Sequence, residues 1–164
     1  MNPLNENGIA QAKAAIPKLA TLPIKVIYCS DLERARQTAQ IVNEKLGLEI
    51  IYDERLREFG NGQMGGTLRA DLPADYSDNP KKYGAETAQD VFVLVKNFFD
   101  ELKAKKIDNA LIVSHGASMG VAIYMLENPK LKAKDIPVTR PSGLKIVQLD
   151  NAQIFEIDIY KEAK

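Results

Sequence analysis

The sequence has no tryptophan, one cysteine and one histidine among 164 residues. A single cysteine, Cys29, excludes an internal disulfide, and with it the oxidised framework of small secreted domains; cytoplasmic residence is expected. Lysine plus arginine (22) equal aspartate plus glutamate (22), so no excess charge draws the chain to nucleic acid or to an anionic membrane surface. No apolar run approaches the roughly 20 residues of a membrane-spanning helix. The opening MetAsnProLeuAsnGluAsnGly has neither the charged start nor the apolar stretch of a secretory signal. Binding must therefore be local, on a chain whose 45% apolar content predicts one domain, residues 1–164, with a real core.

Periodicity sets out the elements. Residues 6 to 20 read as a helix interrupted by Pro17, and 24 to 29 as a short β-rich run after Pro23. SerAspLeuGlu (30–33) has the form of a capping box, with Ser30 as N-cap and Glu33 at N3. It opens a helix to about Leu46 whose apolar face is Leu32, Ala35, Ala39, Val42 and Leu46. Residues 48 to 52 read as a strand, 59 to 85 as a Gly-, Asp- and Pro-rich loop or lid, and Thr87 as the cap of a helix to about Lys105. A strand at 110–114, a helix at 117–127 and two β-rich runs at 143–149 and 153–160 complete the chain. Strands alternating with helices predict an α/β fold with a mostly parallel sheet, in which ligands gather where strands end and helices begin.

The lone histidine, His115, stands at such a point. SerHisGly closes the apolar run 110–114 and opens a helix, so an imidazole and free backbone N–H groups are expected to meet in a natural anion pocket. The run 24–29 also ends in a serine before a helix, and the two ends are expected to share one pocket. Arg34 and Arg36 lie where the helix dipole disfavours cations; Asp31 and Glu33 can compensate them by ion pairing, or Arg34 turns into the pocket, where its guanidinium can grip two phosphoryl oxygens. Glu58 is either a solvated carboxylate or a shielded general acid.

Three motifs are decoys. GlyAlaSerMetGly (116–120) matches the nucleophile elbow of serine hydrolases, but no histidine follows Ser118 to act as base. GlyAsnGlyGlnMetGly (60–65) satisfies GxGxxG without a flanking strand and helix, and reads as loop flexibility. Cys29 and Arg34 have four residues between them where a cysteine phosphatase cradle needs five, so Cys29 reads as a buried strand end.

Several segments together resemble the histidine phosphatase superfamily, with its phosphoglycerate mutase-like fold. ProLeuAsnGluAsnGlyIleAlaGlnAla (3–12) is similar to PLTxxGxxQA, and SerAspLeuGluArgAlaArgGlnThrAla (30–39) to SDLxRAxQTA. LeuArgGlu (56–58) with Gly62 and Gly66 resembles LxExxxGxxxG, GlyAlaGluThr (84–87) resembles GGES, and ValSerHisGly (113–116) the second-histidine motif. The resemblance implies a three-layer α/β sandwich and a small phosphorylated molecule as partner. It implies Arg34 as phosphate ligand, Glu58 as proton donor to the leaving oxygen and His115 as a phosphate-binding, catalytic imidazole, with no metal and no cofactor.

One departure matters. The family's nucleophile is another histidine, in an ArgHisGly motif on a first strand ahead of the ProLeu segment, and Met1 stands two residues before that segment. The chain is expected to lack that strand and to be inactive as given, a phosphomonoesterase or mutase-like protein without its nucleophile; the alternative is a non-catalytic remnant that binds a phospho-ligand or a protein. If the strand is central, its neighbours are left with unpaired groups. The gap would then be filled by residues 153–160, by sheet closure, or by exchange with a second copy, which would make a homodimer.

Overall fold

The computed structural model describes residues 3–136, 154, 156 and 158–160. Val26–Cys29 forms β1, where Ile27, Tyr28 and Cys29 are buried. A strand covered on both faces needs helices on both sides, and it has them. Ile27 and Cys29 pack on Ala35 and Ala39 of α2 (Glu33–Leu46). Tyr28 points the other way, into a cluster with Val91, Phe92, Val95 and Phe98 of α3 (Ala88–Ala104) and Val121 and Ala122 of α4 (Gly116–Glu127). This alternation makes the three layers. Tyr28 and Phe98 meet edge to face, with centroids 5.5 Å apart, and truncating a ring buried like Phe98 costs about 3–5 kcal/mol.

β1 pairs in parallel with β2 (Ile50–Tyr52) on one side and with β3 (Ala110–Val113) on the other, so the sheet order is β2-β1-β3. The expected gap therefore does not fall between residues 24–29 and 110–114. Those runs are direct neighbours, in register from Val26 opposite Ala110 to Cys29 opposite Val113. Among the described residues β3 has no second partner, and all four of its side chains are only half-buried.

Local sequence explains most boundaries. Thr87 and Asp90 form a reciprocal capping box at the start of α3, as expected of Thr87. The first helix, α1 (Glu6–Leu19), is capped by Asn5 and runs through Pro17 without interruption. Pro17 lies in its last turn, and burial of Ala12 and Leu19 holds the helix together there. The capping box expected at Ser30 does not form. Leu32 is the N-cap of α2, with no side-chain bond, because the Ser30 hydroxyl lies between the Leu32 N–H and the histidine ring.

The loop 59–85 is built from single 3-10 turns rather than left open. Gly62 is one reason. Its φ is +54°, and a Cβ there would stand 2.1 Å from the Tyr83 carbonyl oxygen, so the glycine permits close backbone approach and is not a point of loop flexibility. The β-rich run at 143–149 lies outside the described residues. Of the run at 153–160, the described residues form no strand, and Ile159 and Tyr160 form a turn.

Candidate active site

Parallel β1 and β3 end side by side, so the residues that follow them meet. Ser30 N–H donates to the Val113 carbonyl at 2.9 Å, which locks the two strand ends together. Ser30 is fully buried and its hydroxyl lies 2.8 Å from His115 Nε2. His115, the N-cap of α4, is 7% exposed. From the first turn of α2, Arg34 Nε donates to His115 Nδ1 at 3.0 Å. The expected pairing of the two strand ends in one pocket is what the structure shows.

The bond pattern specifies the ring. A guanidinium has only N–H groups to offer, so Nδ1 accepts and the ring proton sits on Nε2, from which it is donated to Ser30 Oγ. Burial first, then the Arg34 charge, lowers the His115 pKa to about 4, against a smaller opposing effect of Asp31. The imidazole is neutral at pH 7. A serine 2.8 Å from a histidine resembles the nucleophile–base pair of a hydrolase, but that chemistry needs a lone pair facing the hydroxyl and a carboxylate behind the ring. Here the proton faces Ser30 and a cation stands behind. Ser30 is no nucleophile.

Glu58 reaches the same place from the far side of the sheet end. Ser114 Oγ donates to the Leu56 carbonyl at 2.7 Å, tying the 56–58 segment to the end of β3. The Glu58 carboxylate then accepts from Ala117 N–H and Ser118 N–H, each at 3.2 Å, and from Phe59 N–H at 3.0 Å. This corrects the expectation of free N–H groups at the opening of α4. The carboxylate occupies them, and a negative group at a helix N-terminus is favoured by about 0.3–1 kcal/mol.

Other expectations resolve as structure. Ser118 is fully buried, its hydroxyl donating to the His115 carbonyl at 3.2 Å and lying 3.1 Å from Ser114 Oγ. It knits the turn. Asp31 pairs not with Arg34 or Arg36 but with Arg57, through contacts of 2.7 and 2.5 Å. Arg36 lies 4.4 Å from the centroid of the Tyr52 ring and plays no part in the pocket. Cys29 is fully buried, and burial pushes its thiol up to about 12. Sequence reasoning missed Ser30 as a site residue. Its signal was present, a serine directly after a strand and three residues ahead of the helix start, but the capping pattern masked it.

A cleft of about 1240 Å³ has Arg34, Glu58 and His115 among its walls and continues along Leu111 and Val113 of β3 to Leu19 of α1. The polar cluster and the side of β3 that no described strand pairs thus share one space. Among the described residues no group of three or more His, Cys, Asp or Glu side chains could hold a metal. No described helix is long and apolar enough to cross a membrane.

The chain is similar to several known proteins. Phosphoserine phosphatase 1 of Hydrogenobacter thermophilus is 28% identical over 71% of this chain and 60% of its own length. A 2,3-bisphosphoglycerate-dependent phosphoglycerate mutase of Azorhizobium caulinodans is 28% identical over 76% of this chain and 69% of its own. Among solved structures, a mycobacterial glucosyl-3-phosphoglycerate phosphatase superposes with a TM-score of 0.69 at 28% identity, covering 83% of this chain and 73% of that one. The chain therefore spans between three fifths and three quarters of these proteins. The model of the histidine phosphatase superfamily (branch 1) matches residues 2–162, and with the α/β/α layers and the Arg34–His115 pair in place the chain belongs to that superfamily.

Proposed function

We propose that this chain is a phosphoryl-binding domain, one unit over residues 1–164, of the phosphomonoester-hydrolase or mutase type, acting in the cytoplasm on a small phosphorylated molecule. Arg34 and His115 bind the phosphoryl oxygens, and Glu58 stands as the proton donor to the leaving oxygen for a reaction whose nucleophile is not among these 164 residues. The observation that carries this reading is the 3.0 Å contact between Arg34 Nε and His115 Nδ1. Two donor-bearing side chains from separate helix starts converge on one point, at the wall of a cleft that also admits Glu58. A planar guanidinium there can leave the ring and hold two oxygens of a dianion. Glu58, already beside the first turn of α4, can approach the ester oxygen once a ligand competes for the same N–H groups.

The 164 residues contain one imidazole. A cycle that phosphorylates one histidine while a second stabilises the transferring group is beyond this polypeptide alone. Binding without turnover is the expected behaviour. The two described relatives' names point to phosphatase and mutase chemistry; the short loop 59–85 favours the phosphatase side. The half-exposed side of β3, which no described strand pairs, supports a strand added there, and strand exchange between two copies would make a homodimer.

A second reading, a non-catalytic module for a phospho-ligand or a protein, is favoured by one specific observation: both nitrogens of His115 are already engaged, by Arg34 and by Ser30. Titration with inorganic phosphate, followed calorimetrically, tests the phosphoryl reading. Saturable binding that Arg34→Ala weakens at least tenfold upholds it. No binding, with a protein partner captured through the cleft, would favour the second.

A further inference from the structure

His115 has two nitrogens, and they are not equivalent. Nε2 points inward to Ser30 Oγ at 2.8 Å, where Ser30 is fully buried and its own N–H is bonded to Val113 across the sheet. The Ser30 hydroxyl also accepts from Leu32 N–H at 3.3 Å, so it is held from two directions in a closed environment. Nδ1 faces Arg34 Nε at 3.0 Å, and Arg34 is a long, only partly buried side chain on the first turn of α2. Of the ring's two partners, Arg34 is the one that lines the cleft, where an entering ligand can exchange with the ring for its N–H groups.

We infer that Ser30 is a positioning residue that pins His115 through Nε2, so that Nδ1 is the nitrogen presented to a phosphoryl oxygen when Arg34 swings from the ring to the anion. This deepens the phosphoryl-binding reading and rests on it for its second half. An incoming dianion takes the Arg34 N–H groups, since charge-assisted bonds to an anion are stronger than a bond to a neutral ring nitrogen. Nδ1 is then left with a lone pair facing an anion. It takes a proton from solvent and becomes a second donor, while Nε2–H stays on Ser30. Charged groups near the ring are Arg34 from α2, Asp31 from the segment before it, held by Arg57, and Glu58 from the 56–58 segment. The proton gained adds a positive charge where the anion has just added a negative one.

Because the chain has one histidine, nitrogen-15 spectra of histidine-labelled protein report this ring alone. At pH 7 without ligand, Nε2 should carry the proton and Nδ1 should not. Ser30→Ala, confirmed folded by its amide spectrum, should give a mixture of the two tautomers, and Ser30→Thr should restore the single form. Addition of inorganic phosphate should protonate Nδ1 and leave Nε2 unchanged. A proton on Nδ1 in the free protein, or a ring indifferent to Ser30→Ala, would overturn the role given to Ser30. Phosphate that binds through Arg34 yet perturbs Nε2 would overturn the assignment of Nδ1 while leaving phosphoryl binding intact. The expected tautomer with no response to phosphate would uphold Ser30 and sink the assignment of Nδ1 together with the phosphoryl reading.

Discussion

Arg34 Nε donates to His115 Nδ1 at 3.0 Å across 81 positions of sequence. Burial of the imidazole, and then a permanent cation beside it, make the charged ring unfavourable, and this contributes to the pH behaviour of the fold. The folded pKa of His115, about 4, lies below its ordinary 6.5, so between those values the unfolded chain binds more protons. Stability is complete above pH 6.5 and declines as pH falls toward 4, by on the order of 3 kcal/mol. Asp31, held low by Arg57, adds its loss only below its ordinary value of 3.8. Urea unfolding from pH 7 to 4.5 should show the decline, and His115→Gln should flatten it. An unchanged slope in that variant would assign the acid sensitivity elsewhere.

Arg34→Ala should weaken inorganic phosphate or vanadate binding at least tenfold, the loss expected for a charge-assisted contact of about 1.5–3 kcal/mol. Calorimetry at low salt measures this. The variant relieves the cation behind the ring, so the His115 pKa should rise toward its ordinary value in the same protein.

The 164-residue polypeptide, incubated with an aryl phosphate, should give no burst of product and no phosphoenzyme. Robust turnover that disappears in His115→Ala would refute the binding-only reading. Fusion of a strand ending in ArgHisGly ahead of Met1 should raise both thermal stability and phosphatase activity, by covering the side of β3 that no described strand pairs and supplying the second imidazole. A gain in stability alone would favour the non-catalytic module. Light scattering on the unfused chain tests the homodimer, which should dissociate on fusion.

Glu58→Ala removes the acceptor from Ala117, Ser118 and Phe59 N–H groups. Loss of a helix cap of this kind costs about 0.5–2 kcal/mol, read as a lowered unfolding midpoint. Amide exchange should accelerate at Ala117 and Ser118 and stay unchanged in α3.

Gly62→Ala should destabilise the loop 59–85 by more than ~1 kcal/mol, because φ is +54° and the new Cβ meets backbone at Tyr83 and Gly84 rather than a movable side chain. Gly47→Ala is the control. It has a similar φ of +64° but open space around it, and should cost less.

Sequence alone determined the alternation of strand and helix, the cap at Thr87 and the candidates Arg34, Glu58 and His115, because each is written in local periodicity or in a contiguous motif. It could not determine which atoms those side chains touch. Ser30 shows why: locally it is a good N-cap, yet the meeting of two parallel strand ends offered its hydroxyl a buried imidazole 85 residues away, and the helix began later without it. The N–H groups opening α4 were legible as an anion site, and only the tie from Ser114 to Leu56 brought the Glu58 carboxylate onto them. The same holds for the sheet. Two apolar runs were plain in the sequence, but their direct pairing depends on which faces the helices cover, and that is a property of the packed layers and not of either run.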